Sequence, residues 1–467
     1  MLKDSFIVKK LLHWKNKMRT KIFLSKNVDD KEFRSKLIEY NVQRQLGCDT
    51  TICHVPMRSI YFGFGGVVTA CCFNRKYILG RFPENTIEEI IHGEQRKILQ
   101  QHLSKTDFSL GCGYCKNMIA SGNYMSVGAR FADGFPDKGD YPSEMVFELD
   151  NTCNLQCEMC NARFSSSHND GKRIVAPYDT HEFIEQLKPF TPHLVKTRFL
   201  GGEPFLSDIY PKIWELIIEL NPKCKISLQS NGTILNEKIK SILQRGNFHI
   251  GLSIDTLNPK RYEKIRSGAE IEKTLENLDF FNSICLKNGD KMNISVCPMK
   301  GNRFDIPELV KFCNDNDILI YFNNVRTEGF SLGELSDYEL DELVTFYKEN
   351  IPKANNSTSS YNNMAFLNLI RKVEHIKKES RPKDYMDEMV MCTRKDFVEI
   401  ISTIISGDES IDINEAKSLE NNIPETFNIK RSEYLYIKNE MKIDSIKSFL
   451  CLTKRKQVEH LNKILHI

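Results

Sequence analysis

The sequence predicts an α/β fold built on a parallel sheet, with a cysteine-rich segment ahead of it and a helical region behind. Three observations carry this. Between residues 144 and 325, apolar runs of a few residues alternate with amphipathic stretches of helical period. Before residue 125 the chain reads as short strands, turns and cysteines. After residue 330 the strand signal is lost. The runs are Met145–Leu149, Leu194–Leu200, Lys225–Gln229, Phe248–Ile254, Met292–Cys297 and Ile318–Phe322. Stretches such as Ile213–Leu220 and Ile271–Leu286 separate them. This is βα repetition, with helices outside a parallel sheet. Six units fit, and the pattern alone allows an open doubly wound sheet or a partial barrel.

Residues 1–44 read as a basic amphipathic helical segment. Ile7, Leu11, Trp14, Met18 and Ile22 recur at helical spacing with Lys15, Lys17, Arg19 and Lys21 between them. A helix packed on its own protein, basic face to solvent, is the expected form. Residues 45–125 form the cysteine-rich domain and 140–328 the βα domain. In 329–467, Ser336 and Glu339 make a capping box before Leu340, Leu343, Val344 and Tyr347. Phe397, Ile400, Ile401, Ile404 and Ile405 form a second stripe. The Asn/Ser-rich segment Asn355–Asn363 reads as a loop.

Composition excludes several classes. At 467 residues and 40% hydrophobic content the chain has a large core and is not disordered. Lys and Arg number 65 against 62 Asp and Glu, a net charge of +3, which does not suit a nucleic-acid coat. No run approaches the ~18 apolar residues of a spanning helix, so no membrane association is expected. Met1–Lys26 has eight Lys/Arg and no apolar core, unlike a secretory signal. With an odd count of 15 cysteines, this points to a cytoplasmic protein with reduced thiols.

Cys153, Cys157 and Cys160 lie just after the first predicted strand. A loop at the C-terminal end of a parallel strand is where such folds place active sites. Three thiolates in eight residues suit a soft metal or an iron–sulfur cluster. Three ligands leave one iron of a [4Fe–4S] cluster open to react; a zinc loop borrowing a distant fourth ligand is the alternative.

This stretch resembles the radical SAM superfamily, whose signature is C-x-x-x-C-x-x-C on the first βα loop. Leu200-Gly201-Gly202-Glu203-Pro204 resembles its glycine-rich S-adenosylmethionine (SAM) motif, with Glu203 expected to accept from the methionyl ammonium. Ser230-Asn231-Gly232 and Ser253-Ile-Asp255 end the third and fourth strands, as polar groups for ribose. Arg266 resembles the arginine that meets the SAM carboxylate, and Val325 a position flanking adenine. Met159 stands where the family usually has an aromatic residue; its thioether can pack on adenine. The resemblance implies a partial (β/α)6 radical SAM barrel and a [4Fe–4S] cluster with SAM on its open iron.

A second constellation precedes the barrel. Cys53, Gly66 and Cys71 follow a C-x12-G-x4-C pattern, and Cys112-Gly-Tyr-Cys115 closes it. With Gly80 and Thr86-Ile-Glu-Glu-Ile90 it resembles the SPASM and twitch modules of peptide-modifying radical SAM enzymes. One auxiliary [4Fe–4S] cluster on Cys53, Cys71, Cys112 and Cys115 is implied. A four-cysteine zinc site has the same spacing, and Cys72 can replace Cys71. In the family the module usually follows the barrel; here it precedes it. The other cysteines read as buried thiols, except Cys297, which ends the fifth strand as a candidate hydrogen-atom donor.

The expected function is reductive cleavage of SAM to a 5′-deoxyadenosyl radical that abstracts hydrogen from a substrate. The resemblance favours a ribosomally made peptide; a small carbohydrate or nucleoside is the alternative, and a non-catalytic iron–sulfur or zinc protein the reading of another class. Implied partners are an electron donor such as flavodoxin or ferredoxin and, for a peptide, a separate recognition protein.

Overall fold

The computed structural model describes residues 28, 30–44, 51–174, 177–178, 180–325 and 327–380. The stripes at 7–22 and 397–405, and Cys48, Cys392 and Cys451, lie outside the described residues. Two compact units are present, Met1–Ser331 with Ile351–Phe366, and Leu332–Asn350 with Leu367–Ile467.

The first unit holds a nine-stranded sheet. In chain order its strands are β1 (Ser59–Phe62), β2 (Val67–Thr69), β3 (Gly80–Arg81), β4 (Glu144–Phe147), β6 (Lys196–Phe199), β7 (Lys225–Ser230), β8 (Phe248–Ser253), β10 (Asn293–Val296) and β11 (Leu319–Phe322). A separate pair is formed by β5 (Gln156–Cys157) and β9 (Arg266–Ser267). The spatial order of the large sheet is β11-β10-β8-β7-β6-β4-β1-β2-β3. Strands β4, β6, β7, β8, β10 and β11 run parallel and are the six predicted strands of the partial barrel. Helices such as Tyr210–Leu220 and Ile271–Lys287 connect them.

The sheet does not stop at the first barrel strand. β1 pairs parallel with β4, and β2 and β3 follow antiparallel. The cysteine-rich segment, expected as a domain of its own, thus shares one sheet and one compact unit with the barrel. Phe62, Phe147 and Phe199 stand in register on β1, β4 and β6. Their rings stack at 5.4 and 5.1 Å, and Trp214 continues the row edge-on at 5.6 Å.

Parity along the strands separates two surfaces. Thr197, Phe199, Ile226, Leu228, Phe248, Ile250, Leu252, Ile294, Val296 and Ile320 are at most 4% exposed and form the helix-packed face. The alternate positions are polar: Lys196, Arg198, Lys225, Gln229, His249 and Ser253 are half-buried, and Ser227, Asn293 and Ser295 are buried. The barrel interior is therefore hydrophilic, rather than filled with apolar side chains.

Asn355–Asn363 is not a loop. A helix spans Ser357–Ser380, and Asn356 Oδ1 accepts from Ser359 N at 2.8 Å at its start. Asn362 is fully buried; it donates to Ile318 O at 2.9 Å and accepts from Ile320 N at 3.0 Å. The side chain thereby saturates the backbone of edge strand β11, a use of Asn that composition alone does not distinguish from a turn. In the second unit the predicted capping box on Ser336 and Glu339 opens the helix Asp337–Glu349. Among the described residues no helix is long and apolar enough to cross a membrane.

Phe147 is 1% exposed between two aromatic neighbours. Phe147→Ala should destabilise the protein by about 3–5 kcal/mol, read from the shift of the urea unfolding midpoint.

Candidate active site and cluster-binding thiols

The chain leaves β4 at Phe147 and forms the loop that carries Cys153, Cys157 and Cys160. An irregular loop has backbone groups to satisfy. The run Ser165–Ser167 does this. Ser166 Oγ accepts from Cys153 N at 3.2 Å, Ser167 Oγ donates to Cys153 O at 2.5 Å, and Ser165 Oγ donates to Leu155 O at 3.0 Å. Sequence reasoning passed over this run, although three hydroxyls in a row are a signal of loop support. Antiparallel pairing of β5 with β9 sets Cys157 opposite Arg266. Arg266 Nη1 stands 3.8 Å from Cys157 Sγ. Thr327 Oγ1 donates to Met159 O at 2.9 Å, which brings the chain next to Val325 against this loop.

The glycine turn packs on the same loop. Gly201 and Gly202 both have positive φ, 81° and 39°. A Cβ on Gly202 would lie 2.2 Å from Thr152 O, so only glycine fits there. The glycines therefore serve a close approach of two backbones, the cysteine loop and the turn.

Glu203 is fully buried, and its carboxylate is engaged by the protein. It accepts from Asn231 N at 2.7 Å, Ser230 Oγ at 2.8 Å and Phe205 N at 3.2 Å. It ties the turn after β6 to the turn after β7. Pro204 follows it as the first residue of a short 3-10 turn. Asn231 Nδ2 in turn donates to Asn154 Oδ1 at 2.9 Å, reaching back to the cysteine loop. Burial pushes Glu203 up to about 7, against the downward pull of its three donors.

At the end of β8, Ser253 Oγ accepts from Gln229 Nε2 at 3.0 Å. Asp255 is fully buried and pairs with Arg266 Nη2 at 2.8 Å while accepting from Cys297 N at 2.7 Å. Arg266 is thus held by a carboxylate on one side and faces a thiol on the other, and its Nε has no hydrogen-bond partner. Burial pushes the Cys297 thiol up to about 12. Cys224, Cys285 and Cys313 are buried thiols.

The second thiol group converges as well. Cys53, Cys71, Cys112 and Cys115 line one cavity with Phe73 and Tyr114. Cys72 does not line it; its charged neighbours are Arg198, Arg75 and Glu148. Each of the four thiols has an N–H donor. These are Val55 for Cys53, Phe73 and Asn74 for Cys71, the Asn74 side chain at 3.3 Å for Cys112, and Gly128 and Ala129 for Cys115. Asn74 went unnoticed in the sequence, because a lone asparagine carries no pattern.

Both thiol groups fit iron–sulfur clusters. Burial pushes every one of these thiols up, Cys71 to about 11, so a bound cationic centre is what would hold them as thiolates. Among the described residues no three His, Cys, Asp or Glu side chains converge on a single-ion geometry.

The family model of the radical SAM superfamily matches residues 148–313, and that of an iron–sulfur cluster-binding domain matches 53–117. Among curated proteins, the chain is 27% identical to the GTP 3′,8-cyclase of Aliarcobacter butzleri over 221 residues, 47% of this chain and 66% of that one. It is 29% identical to the probable GTP 3′,8-cyclase of Methanocaldococcus jannaschii over 167 residues, 36% of this chain and 53% of that one. These matches span between half and two thirds of the relatives' length. Among solved structures, Streptococcus suis SuiB bound to precursor peptide SuiA is 19% identical, covering 61% of this chain and 67% of that one with a TM-score of 0.35. Native anSMEcpe with bound AdoMet is 22% identical, covering 44% and 60%, also at 0.35.

Glu203 offers a pH test. Its folded value of about 7 exceeds the ordinary 4.5, so the native state holds the proton more tightly than the unfolded chain. This contribution is fully present below about pH 4.5 and is lost as pH rises to about 7. Glu203→Gln, the neutral isostere of the protonated acid, should cost little at low pH. The stability of wild type relative to the variant should then fall as pH rises through that window, measured by urea unfolding at each pH. A pH-independent difference would contradict the assignment.

Proposed function

The chain carries a radical SAM domain behind an iron–sulfur cluster-binding domain, with a SAM-binding [4Fe–4S] cluster, an auxiliary cluster and SAM as cofactors, and from this premise we propose that it is an enzyme that cleaves SAM reductively and abstracts a hydrogen atom from a small polar substrate. The observation that carries the reading is the position of Cys153, Cys157 and Cys160 against Arg266 and the glycine turn, at the strand ends above a barrel lined with polar side chains. When bound, the cluster and SAM supply a 5′-deoxyadenosyl radical.

The protein's own part is orientation and exclusion of water. Cys153, Cys157 and Cys160 hold the first cluster and leave one iron for SAM. Arg266, fixed by Asp255, presents its free Nε toward an anionic group of the ligand. Glu203 acts through Ser230 and Asn231 by fixing two turns, so it is a positioning residue. Met159 and Val325 would lie beside the adenine of SAM, and Gly201, Gly202, Pro204, Ser253 and Asp255 would shape the pocket that receives it. Cys53, Cys71, Cys112 and Cys115 hold the auxiliary cluster. A flavodoxin- or ferredoxin-like donor supplies the electron.

A nucleotide-like substrate is supported by the names of the curated relatives and by the polar inner face of the barrel. A peptide substrate, brought by a separate recognition protein, is the second reading; it is favoured by the likeness of residues 53–117 to modules of peptide-modifying enzymes. In that reading Cys297 returns a hydrogen atom to the product.

Anaerobic reconstitution should load about eight iron atoms, and about four when Cys53, Cys71, Cys112 and Cys115 are all replaced by Ala. Cys72→Ala should leave the count unchanged, whereas Cys71→Ala should lower it. The reduced protein should form 5′-deoxyadenosine, detected by mass spectrometry, and Cys157→Ala should form none. A fully loaded, reduced wild type that never cleaves SAM would overturn the enzyme reading.

A further inference from the structure

The thiols and the glycine turn sit at the strand ends. Below them, one to five residues from the strand ends, the inward face carries a group of cations. Two of these are matched. Arg198 Nε and Nη2 donate to the two oxygens of Glu144 at 2.8 and 3.1 Å, which leaves Nη1 unused by that pair. Lys225 pairs with Asp290, and His249 Nδ1 lies 3.1 Å from the same carboxylate. Lys196 is not matched. It stands in register between Glu144 and Lys225. Its side chain makes no hydrogen bond or ion pair with any described residue, and Glu144 and Asp290 act on it only at longer range. Like charges directly opposite in a sheet repel, so Lys196 beside Lys225 is costly without a further anion.

Ser227 is the second observation. It is 92% buried, being 8% exposed, and its Oγ has no hydrogen-bond partner. Its register neighbours are Arg198 and His249, which places it on the same inward face. General polarity does not explain it. One tier higher every inward group is engaged: Gln229 Nε2 donates to Ser253 Oγ at 3.0 Å, Ser295 Oγ to Gln229 Oε1 at 3.0 Å, and Asn293 Nδ2 to Ser295 Oγ at 3.3 Å. Gly251 makes room for that network, since a Cβ there would lie 2.4 Å from Gln229 Oε1. An unmatched ammonium and an orphaned buried hydroxyl thus share the inward face with the Arg198 guanidinium, which also lies over the Phe131 ring at 5.5 Å, below a hydrogen-bonded polar tier.

We propose that Lys196, Arg198 and Ser227 form a subsite that holds a phosphoryl group of the substrate. A point charge, a guanidinium N–H and a hydroxyl from neighbouring strand positions together suit a tetrahedral oxyanion with three acceptor oxygens better than a planar carboxylate. The identity of the occupant rests on the small-polar-substrate reading, whereas anion binding is measured independently of SAM cleavage.

The test is calorimetric titration of the reconstituted full chain with inorganic pyrophosphate, and in parallel with glutarate. Wild type should bind pyrophosphate more tightly than glutarate. Lys196→Met should weaken pyrophosphate binding at least tenfold, or about 1.4 kcal/mol. Ser227→Ala should weaken it several-fold, Lys196→Arg should retain it, and the surface variant Lys238→Met should match wild type. Far-ultraviolet circular dichroism confirms that each variant is folded, and the Arg variant tests charge if the Met variant is not. Equal binding by wild type, Lys196→Met and Ser227→Ala would overturn the subsite, as would no binding at all or a preference for glutarate. Wild type that binds pyrophosphate with the expected variant effects but never cleaves SAM would overturn the enzyme reading alone.

Discussion

Parallel pairing of β1 with β4 is the constraint on which the rest of the structure depends. It makes the cysteine-rich segment an extension of the barrel sheet, and the stacked rings of Phe62, Phe147 and Phe199 bind the three strands on the helix-packed side. On the other side of the same strand, Tyr61 donates to Glu148, and Arg75 pairs with that carboxylate at 2.7 Å. A single strand therefore links the surroundings of both thiol groups. Cys71 belongs to the second cavity, while its neighbour Cys72 is turned toward Arg198 and Glu148 on the barrel side. The spacing between the two centres is set by sheet geometry rather than by a linker.

Buried carboxylates fix the other half of the site. Glu203 and Asp255 are each removed from water, Glu203 compensated by three donors and Asp255 by its ion pair with Arg266 and one backbone N–H, which is the condition under which a buried carboxylate is tolerated. Glu203 joins the ends of β6 and β7, and Asp255 joins the end of β8 to Arg266 and to the backbone after β10. Loops that would otherwise fray at the strand ends are thereby linked in series around the thiols.

The strands were legible because each is a compact apolar run bounded by helical stretches, and each of the six runs named from the sequence overlaps one observed strand, with β4 starting one residue earlier and β7 ending one residue later. The two cysteine groupings were legible because spacing in the chain is also spacing in a loop. Partner choice was not. Glu203 is an evident acceptor, but nothing local tells that Ser230 and Asn231, some 28 residues on, are its donors. Cys71 and Cys72 are adjacent, and only the turn of the backbone separates them. The polar alternation in Lys225-Ile-Ser-Leu-Gln-Ser was visible. Parallel strands are usually read for continuous apolar character, so its meaning as a polar interior was passed over. The Asn-rich helix start was misread because asparagine has the same composition in a turn and as a cap on an edge strand.

The division of each barrel strand into a helix-packed and an inward row has an evolutionary consequence. Residues on one row determine whether the protein folds; residues on the other determine what it meets. The two sets interleave along each strand and face opposite sides of the sheet, so substitutions at alternate positions can change the inward surface while leaving the helix-packed side chains in place. The same geometry makes the strands intolerant of length change. One inserted residue would exchange the rows, sending Ile226 and Leu228 into the polar interior and Lys225 and Ser227 under the helices. Variation in a lineage of such proteins should therefore accumulate as replacements within strands and as insertions only between them.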